Sequence, residues 1–300
     1  MKVLLSLVTR HTKLFFKDKG MFLSSLITPL ILVLLFVTFL GNVYRDSFNL
    51  CIPDGLDVPN SLIEGFVGGW IFSSLLATSC VTIAFCSNLL MIQDKADCIL
   101  PDITIAPVKK STLSLSYFIS SVLVTLIICY LATFVGFIYL ACVGWYLSFI
   151  DVLLILFDVL LLVLFGTALS SIVNYFLSTQ GQMSVVGTLV STVYGFICGA
   201  YMPMSQFGAG LQKTLMFLPG TYGTSLLHSH YMRGVLDELG ANYFPSDVIN
   251  GINQNFDVSL DFFGTTVQNY ASYLVLGGAI ILLISVFVLI NIYSKKRVRG

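Results

Sequence analysis

Apolar runs of about twenty or more residues alternate with short polar segments along the 300-residue chain. Six of these runs contain almost no Lys, Arg, Asp or Glu, and they cover residues 21–42, 68–92, 112–142, 151–173, 183–201 and 270–293. A helix of about 20 apolar residues crosses roughly 30 Å of hydrocarbon, because each residue adds about 1.5 Å. The pattern therefore predicts an all-α integral membrane protein with six transmembrane helices in one domain over residues 1–300.

The first twenty residues form a separate amphipathic segment. At helical spacing, one face is apolar and the other is basic. The apolar face holds Leu4, Leu7, Val8, His11, Leu14 and Phe15, and the basic face holds Lys2, Arg10, Lys13 and Lys17. Such a helix is too charged to span a bilayer and lies at its surface. We therefore expect an interfacial helix over residues 1–20, in which His11 has a packing role.

Two polar segments differ from ordinary short loops. Segment 93–111 mixes charged and apolar residues and contains two prolines, and segment 202–269 is unusually long. Within the latter, the short apolar stretches 211–218 and 224–231 flank Pro219-Gly220. Apolar stretches of this length are typical of re-entrant or interface-lying helices rather than of full crossings. We therefore predict short re-entrant helices before the sixth span.

Composition supports membrane insertion and narrows the possible chemistry. Hydrophobic residues make up 57% of the chain and charged residues only 10%, whereas a soluble domain is about a quarter charged. The seven cysteines form no Cys-x-x-Cys pair, so neither a disulfide framework nor a metal site is expected. No Gly-Lys-Ser/Thr phosphate-binding loop occurs. The chain is thus expected to have no catalytic residues and to bind no cofactor, metal or nucleic acid.

The basic residues predict an orientation, because Lys and Arg accumulate on the cytoplasmic side of membrane proteins. With the N-terminus inside, twelve of the fifteen basic residues fall in cytoplasmic segments. The three exceptions are Arg45, Lys213 and Arg233. We therefore expect both termini in the cytoplasm and an even number of crossings.

Small residues at four-residue spacing mark one face of two predicted spans. They are Gly187, Ser191, Gly195 and Gly199 in the fifth span and Gly69, Ser73 and Ala77 in the second. Small side chains at this spacing allow another helix backbone to approach closely. Two interpretations remain open: ordinary packing inside one subunit, or a face that meets a second subunit or lines a transport pathway.

Asp158 is the one acid well inside a predicted span, and an intramembrane carboxylate implies a partner or a function. A structural hydrogen bond to a neighbouring helix and a substrate or proton role both remain open. His228, His230 and Arg233 follow the second outer apolar stretch. Because no acid lies at ligand spacing from them, we interpret these three as interface residues rather than as a metal site.

Several segments together resemble the type-2 permease family of ABC exporters. They are the amphipathic N-terminal helix, the first span with Pro29, the segment DKADCILPDITIAPVKK from Asp94, and the stretches YMPMSQF from Tyr201 and LPGTY from Leu218. The resemblance covers essentially the whole chain and is closest in pattern to permeases for drugs and antimicrobial peptides.

The resemblance implies a role for each part. Residues 1–20 correspond to the family's elbow helix, and segment 93–111 corresponds to the coupling segment that rests on a separate ATPase subunit. The implied coupling residues are Asp97, Asp102, Pro107, Val108 and Lys109. Pro219 and Gly220 belong to the outer re-entrant helices that close the exit of the pathway. ATP and magnesium would be bound by the ATPase subunits.

The sequence thus predicts the permease subunit of an ATP-driven exporter in a bacterial plasma membrane, not an enzyme. Its expected partners are ATPase subunits, a second permease chain in a homodimer or heterodimer, and the lipid bilayer. The nearly uncharged spans favour an amphiphilic or lipophilic substrate, such as a drug, an antimicrobial peptide or a lipid. Two alternatives remain: a lipid-linked polysaccharide permease of the same family, which the long segment 202–269 disfavours, and an ion-coupled secondary transporter, which only Asp158 supports.

Overall fold

The computed structural model describes residues 2–52, 58–99, 103, 105, 108–262 and 264–297. In this part the α-helices are α1 Lys2–Lys17, α2 Lys19–Leu35, α3 Gly41–Asn49, α4 Asn60–Ala96, α5 Lys110–Val143, α6 Phe149–Tyr175, α7 Gln180–Ile197, α8 Ala209–Leu215, α9 Pro219–Asn242, α10 Ser246–Asn255 and α11 Asn269–Arg297. Strands β1 (Leu260–Phe262) and β2 (Thr265–Val267) form an antiparallel hairpin.

Five helical stretches in the described residues are long and apolar enough to cross a membrane. They are Lys19–Asn49, Asn60–Ala96, Lys110–Val143, Phe149–Tyr175 and Asn269–Ile292. These stretches overlap the first four and the sixth predicted spans. The apolar part of α7, Gly181–Ile197, is shorter. An all-α membrane protein is therefore confirmed, whereas the sixth crossing stays a prediction.

The first of these stretches is not a uniform α-helix. It continues past Pro29, which lies inside α2, and passes through the π-helical turn Phe36–Leu40 into α3. Asp18 caps its start, because its Oδ1 accepts hydrogen bonds from the backbone N–H groups of Gly20 and Met21 at 2.9 and 3.1 Å. Single π-helical turns are rare in proteins, and many of those that occur lie at functional sites.

Helix α4 forms the centre of the bundle. In its most apolar window 89% of the residues are buried, against 28% for Lys19–Asn49 and 17% for Asn269–Ile292. Helices α2, α5, α6, α7 and α9 all pack against it. At Gly166 of α6 an added Cβ would lie 2.9 Å from the Cys80 carbonyl oxygen, so glycine allows α6 to approach the α4 backbone. Helix α4 therefore belongs to the core, while the first and last spans leave most of their apolar surface uncovered.

The bundle has two ends, which we call the α1 end and the hairpin end. At the α1 end, Arg10 contacts Asp94 near the last residue of α4, and Thr12 contacts Ser120 of α5. At the hairpin end, α3 and the end of α10 lie beside the first turns of α4, where the ring of Phe66 contacts those of Phe48 and Phe256. Helix α9 starts beside the middle of the bundle, where Leu226 packs with Val81 and Phe165. It then runs toward the first residues of α4, where its Val235 lies beside Gly65. This part of the long polar segment 202–269 is therefore a helix rather than a loop.

Candidate functional site

A groove with a volume of about 940 Å³ lies between α2, α4 and α7. Its lining extends from Ser24 to Tyr44 on the first span and from Met183 to Phe196 on α7. Twenty helical residues correspond to about 30 Å, which is roughly the thickness of the hydrocarbon core. The groove therefore follows the bundle over about one membrane thickness.

The described lining of the groove contains no charged side chain. Its polar groups are mainly the hydroxyls of Ser24, Thr28, Ser184, Thr188, Ser191 and Thr192. Thr188 and Thr192 each donate to the carbonyl oxygen four residues earlier, at 2.9 Å, so α7 itself satisfies them. A surface of this kind binds ligands by covering apolar area, with a few polar contacts for orientation.

Aromatic side chains fix the groove at the hairpin end. The hydroxyl of Tyr44 donates to the carbonyl oxygen of Tyr201 at 2.8 Å. The hydroxyl of Tyr201 in turn donates to the carbonyl oxygen of Ser191 at 3.2 Å. The ring of Trp70 lies 4.1 Å from that of Tyr44, between centroids. Phe36 and Leu40 of the π-helical turn line the same space. The irregular part of the first span is therefore a wall of the groove.

The predicted small-residue face of the fifth span divides in two. Gly187 and Ser191 line the groove, and a Cβ at Gly187 would have no atom within 4 Å. In contrast, a Cβ at Gly195 would lie 2.3 Å from Cζ of Tyr201, and Gly199 adopts a φ of +76° in the turn after α7. Half of the face is thus open, and the other half packs within the chain.

The small face of the second span packs within the chain. A Cβ at Gly69 would lie 3.1 Å from the carbonyl oxygen of Tyr231 in α9. Ser73 and Ala77 are fully buried, and the Ser73 hydroxyl donates to the Gly69 carbonyl oxygen at 2.7 Å. These residues therefore let α9 approach α4.

Asp158 is part of a buried polar cluster between three helices. Its Oδ2 lies 2.6 Å from Nδ1 of His230 in α9, and its Oδ1 accepts a hydrogen bond from the hydroxyl of Tyr273 in α11 at 2.7 Å. The side chains of Asp158 and His230 are 1% and 4% exposed. Sequence reasoning missed this pair because the two residues are 72 positions apart, and only the fold brings them together.

The other polar residues of α9 have separate partners. Arg233 contacts Asp151 of α6 at 3.4 Å, and Asp151 also forms a capping box with Ser148 at the start of α6. His228 Nε2 lies 3.0 Å from the Ser74 hydroxyl of α4. Among the residues that the structure describes, no three His, Cys, Asp or Glu side chains are grouped to hold a metal ion.

The predicted coupling residues lie at the α1 end as far as they are described. Asp97 follows α4 and is exposed, Val108 packs with Ile103 against a cluster that contains Leu113, and Lys109 directly precedes α5. Asp102 and Pro107 lie outside the described residues.

The predicted gate residues begin α9. Pro219 is the first residue of that helix, where its missing N–H costs no hydrogen bond. A Cβ at Gly220 would lie 2.7 Å from the Tyr194 hydroxyl of α7. The start of α9 therefore packs against the helix that forms one wall of the groove.

Comparison with known proteins agrees with this architecture. The family model of the ABC-2 type transporter matches residues 2–231, from α1 through the first half of α9. A search of curated proteins gives no significant match. The matched region includes both walls of the groove, the predicted coupling segment 93–111 and the spans that contain α2, α5 and α6. The chain belongs to the ABC-2 type transporter family and is a membrane permease component of an ABC transporter.

Proposed function

We propose that this chain is the permease subunit of an ATP-driven exporter and that the groove between α2, α4 and α7 is its substrate pathway. The uncharged lining over about one membrane thickness supports this proposal most strongly. A secondary carrier driven by ions would need titratable groups along its route. In this structure the buried acid Asp158 instead binds His230 and Tyr273, away from the groove lining.

The lining indicates the class of substrate. Because apolar walls with a few hydroxyls favour molecules that bury hydrocarbon, the substrate is an amphiphilic or lipophilic compound: a drug, an antimicrobial peptide or a lipid. The groove is open on one side, and Val185 and Leu189 of α7 remain exposed beside it. A second permease chain, identical or related, would close that side.

ATP hydrolysis takes place on separate ATPase subunits, which bind ATP and magnesium. In the orientation predicted from the basic residues, the α1 end and both termini face the cytoplasm of a bacterial cell. The coupling segment then meets the ATPase subunits, and Pro219 and Gly220 lie at the outer gate. Closure of the ATPase subunits would move the coupling segment and open the groove outward.

Purification and transport assays test this function. Tagged permease that is co-expressed with the ATPase subunits should retain them through purification. Inverted vesicles that contain the complex should accumulate an amphiphilic fluorescent dye only with Mg·ATP. If no ATPase chain is retained and dye uptake proceeds without ATP, the proposal is wrong.

A further inference from the structure

The last turn of α4 carries two adjacent residues of opposite charge, Asp94 and Lys95. They lie directly before Ala96, the last residue of α4, and the coupling segment continues from there into Asp97. Neighbouring positions on a helix point in different directions. The two charges can therefore bind different partners from one rigid turn.

Asp94 binds two elements at once. Its Oδ2 accepts a hydrogen bond from Nη1 of Arg10 in α1 at 3.0 Å and one from the hydroxyl of Tyr117 in α5 at 2.5 Å. Asp94 is only 2% exposed. A carboxylate removed from water requires such donors, since an unpaired one would be very costly. Helix α1 is thus attached to the end of α4 by a charge-assisted bond.

Further contacts keep α1 in place around this bond. The ring of His11 stacks on that of Tyr117 with centroids 4.0 Å apart, and the hydroxyl of Thr12 lies 3.0 Å from that of Ser120. Burial lowers the pKa of His11 to about 4, so the ring is neutral near pH 7 and does not repel Arg10. Helix α1 and the end of α4 therefore form one unit.

Lys95 binds on another side of α4. Its Nζ donates to the carbonyl oxygens of Tyr175 and Leu177, at 3.2 and 3.3 Å, and lies 5.6 Å from the centre of the Tyr175 ring. These carbonyls lie at the C-terminal end of α6, where a helix favours a cation. Helix α7 begins at Gln180, three residues after Leu177. Lys95 thus connects α4 to the short link that leads into the groove wall.

We propose that Asp94 and Lys95 are positioning residues that divide the movement of the coupling segment between two paths. Asp94 passes it to α1, and Lys95 passes it through the α6–α7 link to α7. This inference rests on the proposed function, because it assumes that an ATPase subunit moves the coupling segment. It requires that a single substitution interrupt one path and leave the other intact.

Hydrogen exchange of the complete complex tests this division without the transported substrate. The permease with its ATPase subunits is compared without nucleotide and after trapping with Mg·ATP and orthovanadate. In the wild type, trapping should change exchange in the coupling segment, in α1 and in residues 175–185. In Lys95→Met the change in residues 175–185 should be lost while that in α1 remains. In Asp94→Asn the reverse should hold.

Conservative and surface variants separate coupling from general damage. Lys95→Arg keeps a donor for both carbonyls and should restore the change in residues 175–185, and Lys13→Met, at an exposed site on α1, should behave as wild type. ATP hydrolysis should persist in Lys95→Met. If that variant does not accumulate, Lys95→Gln, which retains a weaker donor, should show a reduced change at the same residues.

The outcomes distinguish this inference from the proposed function. If the wild-type complex shows no nucleotide-dependent change in the coupling segment, the proposed function itself fails. If the coupling segment responds but both variants still transmit to α1 and to residues 175–185, the division between Asp94 and Lys95 is wrong. Loss of both responses in either variant also overturns it, because the paths are then not separate.

Discussion

At the scale of single residues, a buried carboxyl group is hydrogen-bonded to partners from distant parts of the chain. Asp158, His230 and Tyr273 come from α6, α9 and α11 and meet in surroundings where water cannot replace a missing partner. Arg233, one turn further along α9, is 53% exposed and pairs with Asp151 at 3.4 Å. The two acid-to-base contacts of α9 therefore differ in burial: that of His230 is enclosed, and that of Arg233 is half exposed.

This difference predicts unequal costs of mutation. His230→Leu leaves the Asp158 carboxylate with Tyr273 as its donor and should cost about 3–5 kcal/mol of stability. The double variant with Asp158→Leu should recover about 1–3 kcal/mol relative to the sum of the single changes. Arg233→Met, the exposed control on the same helix, should cost no more than about 1 kcal/mol. Unfolding in mixed detergent and SDS micelles, followed by tryptophan fluorescence, measures these costs; additive single effects would contradict the coupling.

Asp257 predicts a pH dependence of stability. It is 7% exposed, and its Oδ2 accepts a hydrogen bond from the backbone N–H of Met204 at 2.6 Å. Burial raises the pKa of Asp257 from 3.8 to about 7, against the opposing effect of this bond. Between these values the unfolded chain ionises while the folded chain keeps its proton. Stability due to this group is therefore present below pH 4 and is lost as the pH rises toward 7.

Replacement of Asp257 by Asn should remove this loss of stability at high pH, because Asn does not ionise. Asn can still accept the Met204 N–H bond and tolerates the φ of +55° found at this position. At pH 8 the Asp257→Asn variant should therefore be more stable than the wild type by up to about 4 kcal/mol and should melt at a higher temperature. Near pH 4 the two proteins should melt at the same temperature. Melting curves of the purified protein at several pH values provide the test. An equal pH dependence in both proteins would refute the assignment.

At the scale of elements, α7 has two different faces although its sequence shows one repeated motif. Gly187 and Ser191 point into the groove, whereas Gly195 is in contact with Tyr201. The spacing predicts that these residues share a face, because helical geometry is local. Which part of that face is covered depends on the turn after α7, where Gly199 has a positive φ and Tyr201 folds back. The turn could not be read from the spacing.

Opposite effects are expected from glycine substitutions along α7. Gly187→Phe should leave stability unchanged, since no atom lies within 4 Å of the added Cβ, but should block ATP-dependent dye export by filling the groove. Gly195→Ala should destabilise the protein, because its Cβ would overlap the Tyr201 ring. Gly278→Phe, at an exposed glycine of α11, is the control and should preserve both properties. Normal export by Gly187→Phe would exclude the groove as the pathway.

At the scale of the whole molecule, the predicted orientation has consequences for three cysteines. Cys142 is exposed at the hairpin end of α5, Cys98 is exposed just after α4, and Cys51 is half-buried after α3. The predicted orientation places Cys142 and Cys51 outside and Cys98 inside. The thiols therefore report on which end of the bundle faces the cytoplasm.

A membrane-impermeant maleimide should label Cys142 in intact cells and Cys98 only after the cells are opened. Cys51 should react more slowly than Cys142, because burial raises its pKa and thiolate is the reactive form. Single-cysteine variants followed by mass spectrometry give the measurement. Labelling of Cys98 from outside would invert the topology.

The sequence by itself determined the membrane class, the positions of the long apolar helices, the amphipathic α1 and the family. These follow from run length, periodicity and order along the chain, which are local properties. Only the tertiary structure decided that α4 is the central helix, that Asp158 pairs with His230, and that half of the α7 face borders an open groove. Each of these depends on residues many positions apart in the chain. No local pattern specifies which partner covers a given face, because that is decided by the packing of the whole bundle.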